Sequence, residues 1–121
     1  MTYDNNNIFA KILRDEIPCN KIYEDNYVLS FYDINPQKKI HALVIPKGKY
    51  VDLDDFNTNA SNDEIVGLMR GITIVSKKLG ISSIDGKGYR ALANISDYGG
   101  QEVPHLHFHL FGGEKVGKMV S

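Results

Sequence analysis

Three of the four histidines of this chain fall within five residues, as His105-Leu106-His107-Phe108-His109, and the fourth is His41. In a strand, alternate residues project from one face. The three imidazoles then line one side, and Leu106, Phe108 and Leu110 line the other. Successive rings stand roughly 6.6 Å apart along such a strand. Three uses of this row compete. It can be a polar face without chemistry. It can hold a metal, since neutral imidazole is a common zinc ligand, but a regular strand needs a further ligand from elsewhere, with Asp97 or Glu102 as candidates. It can be catalytic, because imidazole titrates near neutrality and serves as nucleophile or acid. A nucleophilic imidazole needs an acceptor on its other nitrogen, which a backbone carbonyl or a second histidine supplies. Just upstream, Gly99-Gly100-Gln101 can turn backbone N–H groups toward an anionic oxygen.

Several elements must position these rings. Ile8 to Arg14 has apolar residues at helical spacing and ends before Pro18. Lys21–Glu24, Tyr27–Asp33 and His41–Pro46 read as strands of an antiparallel meander, broken at Asp25-Asn26 and Asn35-Pro36. Ser61 and Glu64 form a capping box. The stripe Ile65, Leu68, Met69, Ile72, Val75 and Leu79 follows, and Gly80 ends that long helix. Tyr89–Asn94 and His105–Phe111 complete five strands. The prediction is an α+β fold: a twisted five-stranded antiparallel sheet with one short and one long helix on one side. Open sheet edges invite pairing. Gly67 and Gly71, beside Met69 and Ile72, suggest a helix face that a second chain can approach closely.

The 121 residues make one domain, expected over 8–121, after a polar tail, Met1 to Asn7, expected to be flexible. The formal net charge is −1, and no basic run exceeds Lys38-Lys39 or Lys77-Lys78. That composition argues against a nucleic-acid binder, which needs concentrated positive charge, but not against a small nucleotide. No apolar run matches a membrane span. The single cysteine, Cys19, allows no internal disulfide, and the expected compartment is the reducing cytoplasm.

With these elements in order, His105-Leu106-His107-Phe108-His109-Leu110-Phe111 resembles the signature of the histidine triad proteins. The chain from about Ile8 to Gly113 is similar to their nucleotide-binding branch. The resemblance rests on Ile8-Phe9 with Ile12, Glu16-Ile17-Pro18, Phe31 to Gln37, His41 to Lys47, Gly88-Tyr89-Arg90, Gly99-Gly100-Gln101 and Gly112-Gly113. It implies a homodimer with the sheet continued across the interface. It also implies purine nucleoside phosphoramidase activity on derivatives of AMP and GMP, with no cofactor and no metal. By position, His107 corresponds to the nucleophile and His109 to a histidine near the phosphate and leaving group. His105 corresponds to a buttress and His41 to an orienting histidine. Asn94 and Gln101 match phosphate and leaving-group contacts, and Gly100, Glu102 and Val103 belong to the same nucleotide-binding set. Asp33 matches a ribose-binding acid, although its place before Ile34-Asn35-Pro36 equally suits a turn. Ile8, Phe9, Ile12, Phe31, Ile34 and Leu43 match the base slot, although apolar residues of this kind also serve as plain core.

The chain departs from the family pattern at Glu102, at Pro104 and in its short tail without Trp, and these bear on substrate preference. Two other functions remain on this reading. One is a nucleotide-binding or scaffold protein with incidental turnover. The other is a related enzyme acting on dinucleoside polyphosphates or transferring nucleotidyl groups.

Overall fold

The structure, a computed structural model, describes residues 2–120. Met1 of the expected tail and Ser121 of the expected domain lie outside the described residues. Five strands pair antiparallel in the order β1-β2-β3-β5-β4, with β1 Lys21–Glu24, β2 Val28–Tyr32, β3 Ile40–Pro46, β4 Arg90–Leu92 and β5 Phe108–Gly112. The first three form the expected meander. Asp25 shapes its first turn by accepting from the N–H groups of Tyr27 and Val28. The helices are α1 Ile8–Leu13, α2 Leu53–Asn59 and α3 Asn62–Lys78. No helix among the described residues is long and apolar enough to cross a membrane.

The capping box at Ser61 and Glu64 is present, and α3 follows it directly. Leu68, Ile72 and Val75 of α3 pack with Val28, Ala42, Val44, Leu106 and Leu110. A second cluster joins Phe9 and Ile12 of α1 to Leu29, Phe31, Leu43 and Ile45. Strand residues alternate between faces, so Val28, Ala42 and Val44 look one way and Leu29, Leu43 and Ile45 the other. The helices therefore do not share one side: α3 covers one face of the sheet and α1 the other. α2 was not legible in the sequence. Its one buried residue, Phe56, leaves no periodic stripe, and the helix rests on the Asp52 cap and on Phe56 against Tyr50.

The last strand is shorter than its alternation predicts. Val44 faces Phe108 in the β3–β5 ladder, which places Pro46 where Leu106 would continue it. Proline has no N–H to donate, and Leu106 instead donates to the carbonyl of Tyr50 at 2.8 Å. His105 to His107 thus lie outside the ladder. The alternation of their environments survives, with Leu106 in the α3 core and His105 and His107 buried on the other side. Each fully buried leucine contributes about 1.5–3 kcal/mol. A one-residue slip would exchange leucines for imidazoles, so Leu106 and Leu110 fix the register.

Two further expectations change. The segment before α1 is tied down: Asn7 is buried and accepts from the Ala10 N–H at 2.9 Å, and the Tyr3 hydroxyl reaches His105. The small residues of α3 face their own sheet rather than a second chain. A Cβ on Gly71 would come within 2.9 Å of Val28, and one on Gly67 within 2.6 Å of Tyr27. β4 is also shorter than expected, and Tyr89, Ala93 and Asn94 flank it outside the ladder.

Candidate active site

The α1 face of the sheet carries a cavity of about 430 Å³, lined among others by Phe9, Asp33, His41, Leu43, His107 and His109. Larger hollows occur elsewhere, one of about 920 Å³ near Gly80, Arg90 and Lys115. Neither that hollow nor the one beside Cys19 contains a histidine, so chemistry rather than size marks the site.

Adjacent strands bring the outlying histidine in. His41 pairs with Phe111 and Leu43 with His109 across β3 and β5. The His41 and His109 ring centroids lie 5.2 Å apart, and those of His107 and His109 lie 5.0 Å apart. Phe9 of α1 stands edge-on to His107 at 4.9 Å. Phe111 supports the pair from below, 4.3 Å from His41 and stacked parallel to His109 at 5.7 Å.

Backbone groups of fixed polarity assign every ring proton. An N–H only donates and a carbonyl only accepts. The Gln37 N–H donates to His41 Nδ1 at 3.1 Å, so His41 carries its proton on Nε2. That proton faces His109 Nδ1 at 2.9 Å, which leaves the His109 proton on Nε2. His107 Nδ1 lies 2.7 Å from the carbonyl of His105 and must donate to it. His107 Nε2 is therefore left with a free lone pair. His105 donates from Nε2 to the Pro46 carbonyl at 2.9 Å.

Burial pushes all four imidazoles below the usual histidine pKa, His105 and His109 to about 4. For His109 the neighbouring His107 and His41 add to the effect, while Asp33 opposes it. At neutral pH the four rings are uncharged, as a nucleophile with an available lone pair requires.

Asp33, His41 and His109 bring donor atoms within 4.8 Å of one another, a set that can be asked to hold a metal. The Gln37 N–H keeps the His41 proton on Nε2, the atom that would have to bind. The donor set fits a hydrogen-bonded relay better than a metal centre. Asp33 itself serves two ends. One oxygen accepts from the Asn35 N–H at 2.8 Å, as a turn acid does, and the other lies 3.5 Å from His41 Nε2 beside the cavity.

The remaining expected residues divide. Asn94, Gly100, Glu102 and Val103 line the cavity with Phe9, Asp33 and Leu43. Ile12 and Phe31 are core behind it. Ile8 is half-exposed on α1, and Ile34 is 87% exposed; neither lines the cavity. Gln101 does not line it either. Its amide donates to the carbonyls of Val51 and Val103 and accepts from the Ser96 N–H, which braces the glycine loop. Ser96 adopts a positive φ of 58°, and a Cβ on Gly99 would lie 2.4 Å from the Ile95 carbonyl. The loop is thus a tight, fixed turn with Gly100 at its cavity end. Three contributors escaped the sequence reading. In the sequence Phe111 reads only as part of the motif and its strand, and the Gln37 N–H is a backbone group. Tyr3 lies in the segment expected to be a flexible tail.

Comparison with known proteins agrees with this geometry. The HIT domain model matches residues 14–116. An uncharacterised HIT-like protein of Azospirillum brasilense is 51% identical over 99% of this chain and 96% of its own length. A purine nucleoside phosphoramidase of Escherichia coli is 40% identical over 94% of this chain and 92% of its own. Among solved structures, a HIT family hydrolase from Clostridium thermocellum superposes with a TM-score of 0.85 at 35% identity, covering 98% of this chain and 99% of that one.

Proposed function

The chain belongs to the HIT domain family, and from that premise we propose that it hydrolyses the P–N bond of purine nucleoside 5′-phosphoramidates by way of a nucleotidylated His107. The observation that carries this reading is the hydrogen bond from His107 Nδ1 to the His105 carbonyl. It leaves Nε2 unprotonated on a ring that lines the cavity, while burial keeps the ring neutral. The phosphoramidase named among the relatives supports the substrate class.

In the first step, His107 Nε2 forms a bond to the α-phosphorus as the P–N bond to the amine breaks. His109 Nε2–H donates a hydrogen bond to the departing nitrogen, which takes a proton from water and leaves as the amine, and the His41 N–H supports His109 from behind. In the second step, the hydroxide so formed attacks the phosphorus, the P–Nε2 bond breaks with its electron pair returning to His107, and the nucleoside monophosphate leaves. Splitting one displacement into two easier ones is the general gain of covalent catalysis. The Gly100 N–H is committed to the Asp97 carbonyl at 3.0 Å, so donors for oxygens that gain charge come from side chains of the cavity wall, Asn94 among them. Phe9, Leu43 and Val103 provide the apolar wall for the base, and Asp33 faces the ribose.

We also propose a twofold dimer. β4 leaves one edge of the sheet unpaired, and Val66, Met69 and Ile74 expose apolar surface on α3. Edges of this kind favour pairing between copies.

The deciding experiment is a single-turnover assay with an adenosine phosphoramidate, paired with acid-quench trapping of the protein-bound nucleotide. Wild type should accumulate adenylylated protein. His107→Ala should lose turnover but keep AMP binding, because the base and ribose contacts remain. Turnover near the wild-type level in His107→Ala sinks the assignment.

A further inference from the structure

We propose that Tyr3, which precedes the matched family domain, positions the nucleophile by holding the His105 ring in one orientation. The inference rests on the phosphoramidase reading above and concerns the same cavity.

His105 is fully buried, so both ring nitrogens need partners within the protein. Nε2 lies 2.9 Å from the Pro46 carbonyl, which only accepts, so the proton resides there. Nδ1 is then a bare acceptor. The Tyr3 hydroxyl, 2.6 Å away, is the group that reaches it, and it must donate. The two rings meet edge to face at 5.6 Å, and Phe9 closes another side of His105 at 6.3 Å. The ring is thus pinned from opposite ends, by Pro46 of β3 and by Tyr3.

The backbone of the same residue performs the step that matters. The His105 carbonyl receives the His107 Nδ1 proton at 2.7 Å and so decides which His107 nitrogen is free. A shift of His105 moves that carbonyl and turns the His107 ring with it. Tyr3 is itself held. Asn7 donates to the Asp4 carbonyl at 2.8 Å while capping α1, and Arg14 donates to the Asn5 carbonyl at 2.8 Å. The segment is therefore folded onto the helix that carries Phe9.

Tyr3→Phe removes the donor and leaves a buried nitrogen unpaired, with no change to the base or ribose walls. Tyr23→Phe is the control. It removes a hydroxyl that donates to Asp25 at 2.8 Å, among residues that do not line the cavity. Only Tyr3→Phe should slow single-turnover nucleotidylation, by about tenfold for a displaced nucleophile, with KM unchanged. Only Tyr3→Phe should shift the ¹⁵N resonances of the His105 and His107 rings in ligand-free protein. A Tyr3→Phe protein with the wild-type rate and unmoved His107 resonances overturns the proposal, as does an equal loss of rate in both variants. If wild type itself does not turn over the phosphoramidate, the phosphoramidase reading fails, and the ring resonances still decide the role of Tyr3. If Tyr3→Phe does not fold, 3-fluorotyrosine at position 3 keeps the ring and strengthens the donor. An unmoved His105 Nδ1 resonance in that protein then overturns the inference.

Discussion

Asp33 Oδ2 lies 3.5 Å from His41 Nε2, and the other oxygen of the same carboxylate accepts from the Asn35 N–H at 2.8 Å. One acid therefore ties the turn after β2 to the histidine relay. It also borders the cavity, where a ribose would meet it.

The two roles of Asp33 separate by ligand. A carboxylate that accepts from a ribose hydroxyl contributes about 1.5–3 kcal/mol. Asp33→Ala should weaken AMP by that amount and leave 2′,3′-dideoxy-AMP nearly unaffected. Isothermal titration of both ligands checks this. Equal losses would assign Asp33 to the turn alone.

The histidines make the protein sensitive to acid. Their native pKa values are depressed by burial, that of His105 to about 4. Between the unfolded value of about 6.5 and the native one, the unfolded chain binds more protons, so stability rises with pH there. Stability contributed by the neutral rings should be complete above pH 6.5 and decline as the pH falls toward about 4, by about 3 kcal/mol for His105 alone. Urea unfolding at a series of pH values measures the slope. The acid limb of kcat/KM should likewise lie below the ordinary histidine value, because His107 and His109 stay neutral. A limb at or above pH 6.5 would contradict their burial.

Turnover should survive dialysis against a strong chelator. The Gln37 N–H fixes the His41 proton on the nitrogen that a metal would need. Loss of activity on chelation and its return with added zinc would instead make Asp33, His41 and His109 a metal centre.

Gly71 tests intrachain packing. Its absent Cβ would sit 2.9 Å from Val28, so Gly71→Ala overpacks the α3–β2 contact. The expected cost is about 1–3 kcal/mol, relieved in the double variant Gly71→Ala with Val28→Ala. Urea unfolding of the four-protein cycle reads the coupling, and sedimentation should show the same oligomeric state throughout. A change of state without loss of stability would return Gly71 to an interface between chains.

The local patterns that the sequence determined were those whose cause is local. The capping box at Ser61 and Glu64, most of the α3 stripe and the Asp25 turn depend on neighbours a few residues apart and are present, whereas Met69 of the expected stripe lies exposed. The alternation of environment between the three histidines and Leu106 and Leu110 was likewise legible, although only Phe108–Gly112 forms strand, and it carried the resemblance to the family. Tertiary structure decided the rest. Pro46 ended the ladder before it reached Leu106, an event invisible in the histidine segment itself. Phe56 formed α2 by packing on Tyr50, not by periodicity. Gln101 turned inward to brace its loop, Ile34 stayed exposed, and Tyr3 folded back on a residue 102 positions away. Above all, which nitrogen of each histidine bears its proton was set by the Gln37 N–H and by the carbonyls of His105 and Pro46. Sequence names the imidazole, but an imidazole has two tautomers of similar energy. Only the backbone dipoles that the fold brings to it choose between them.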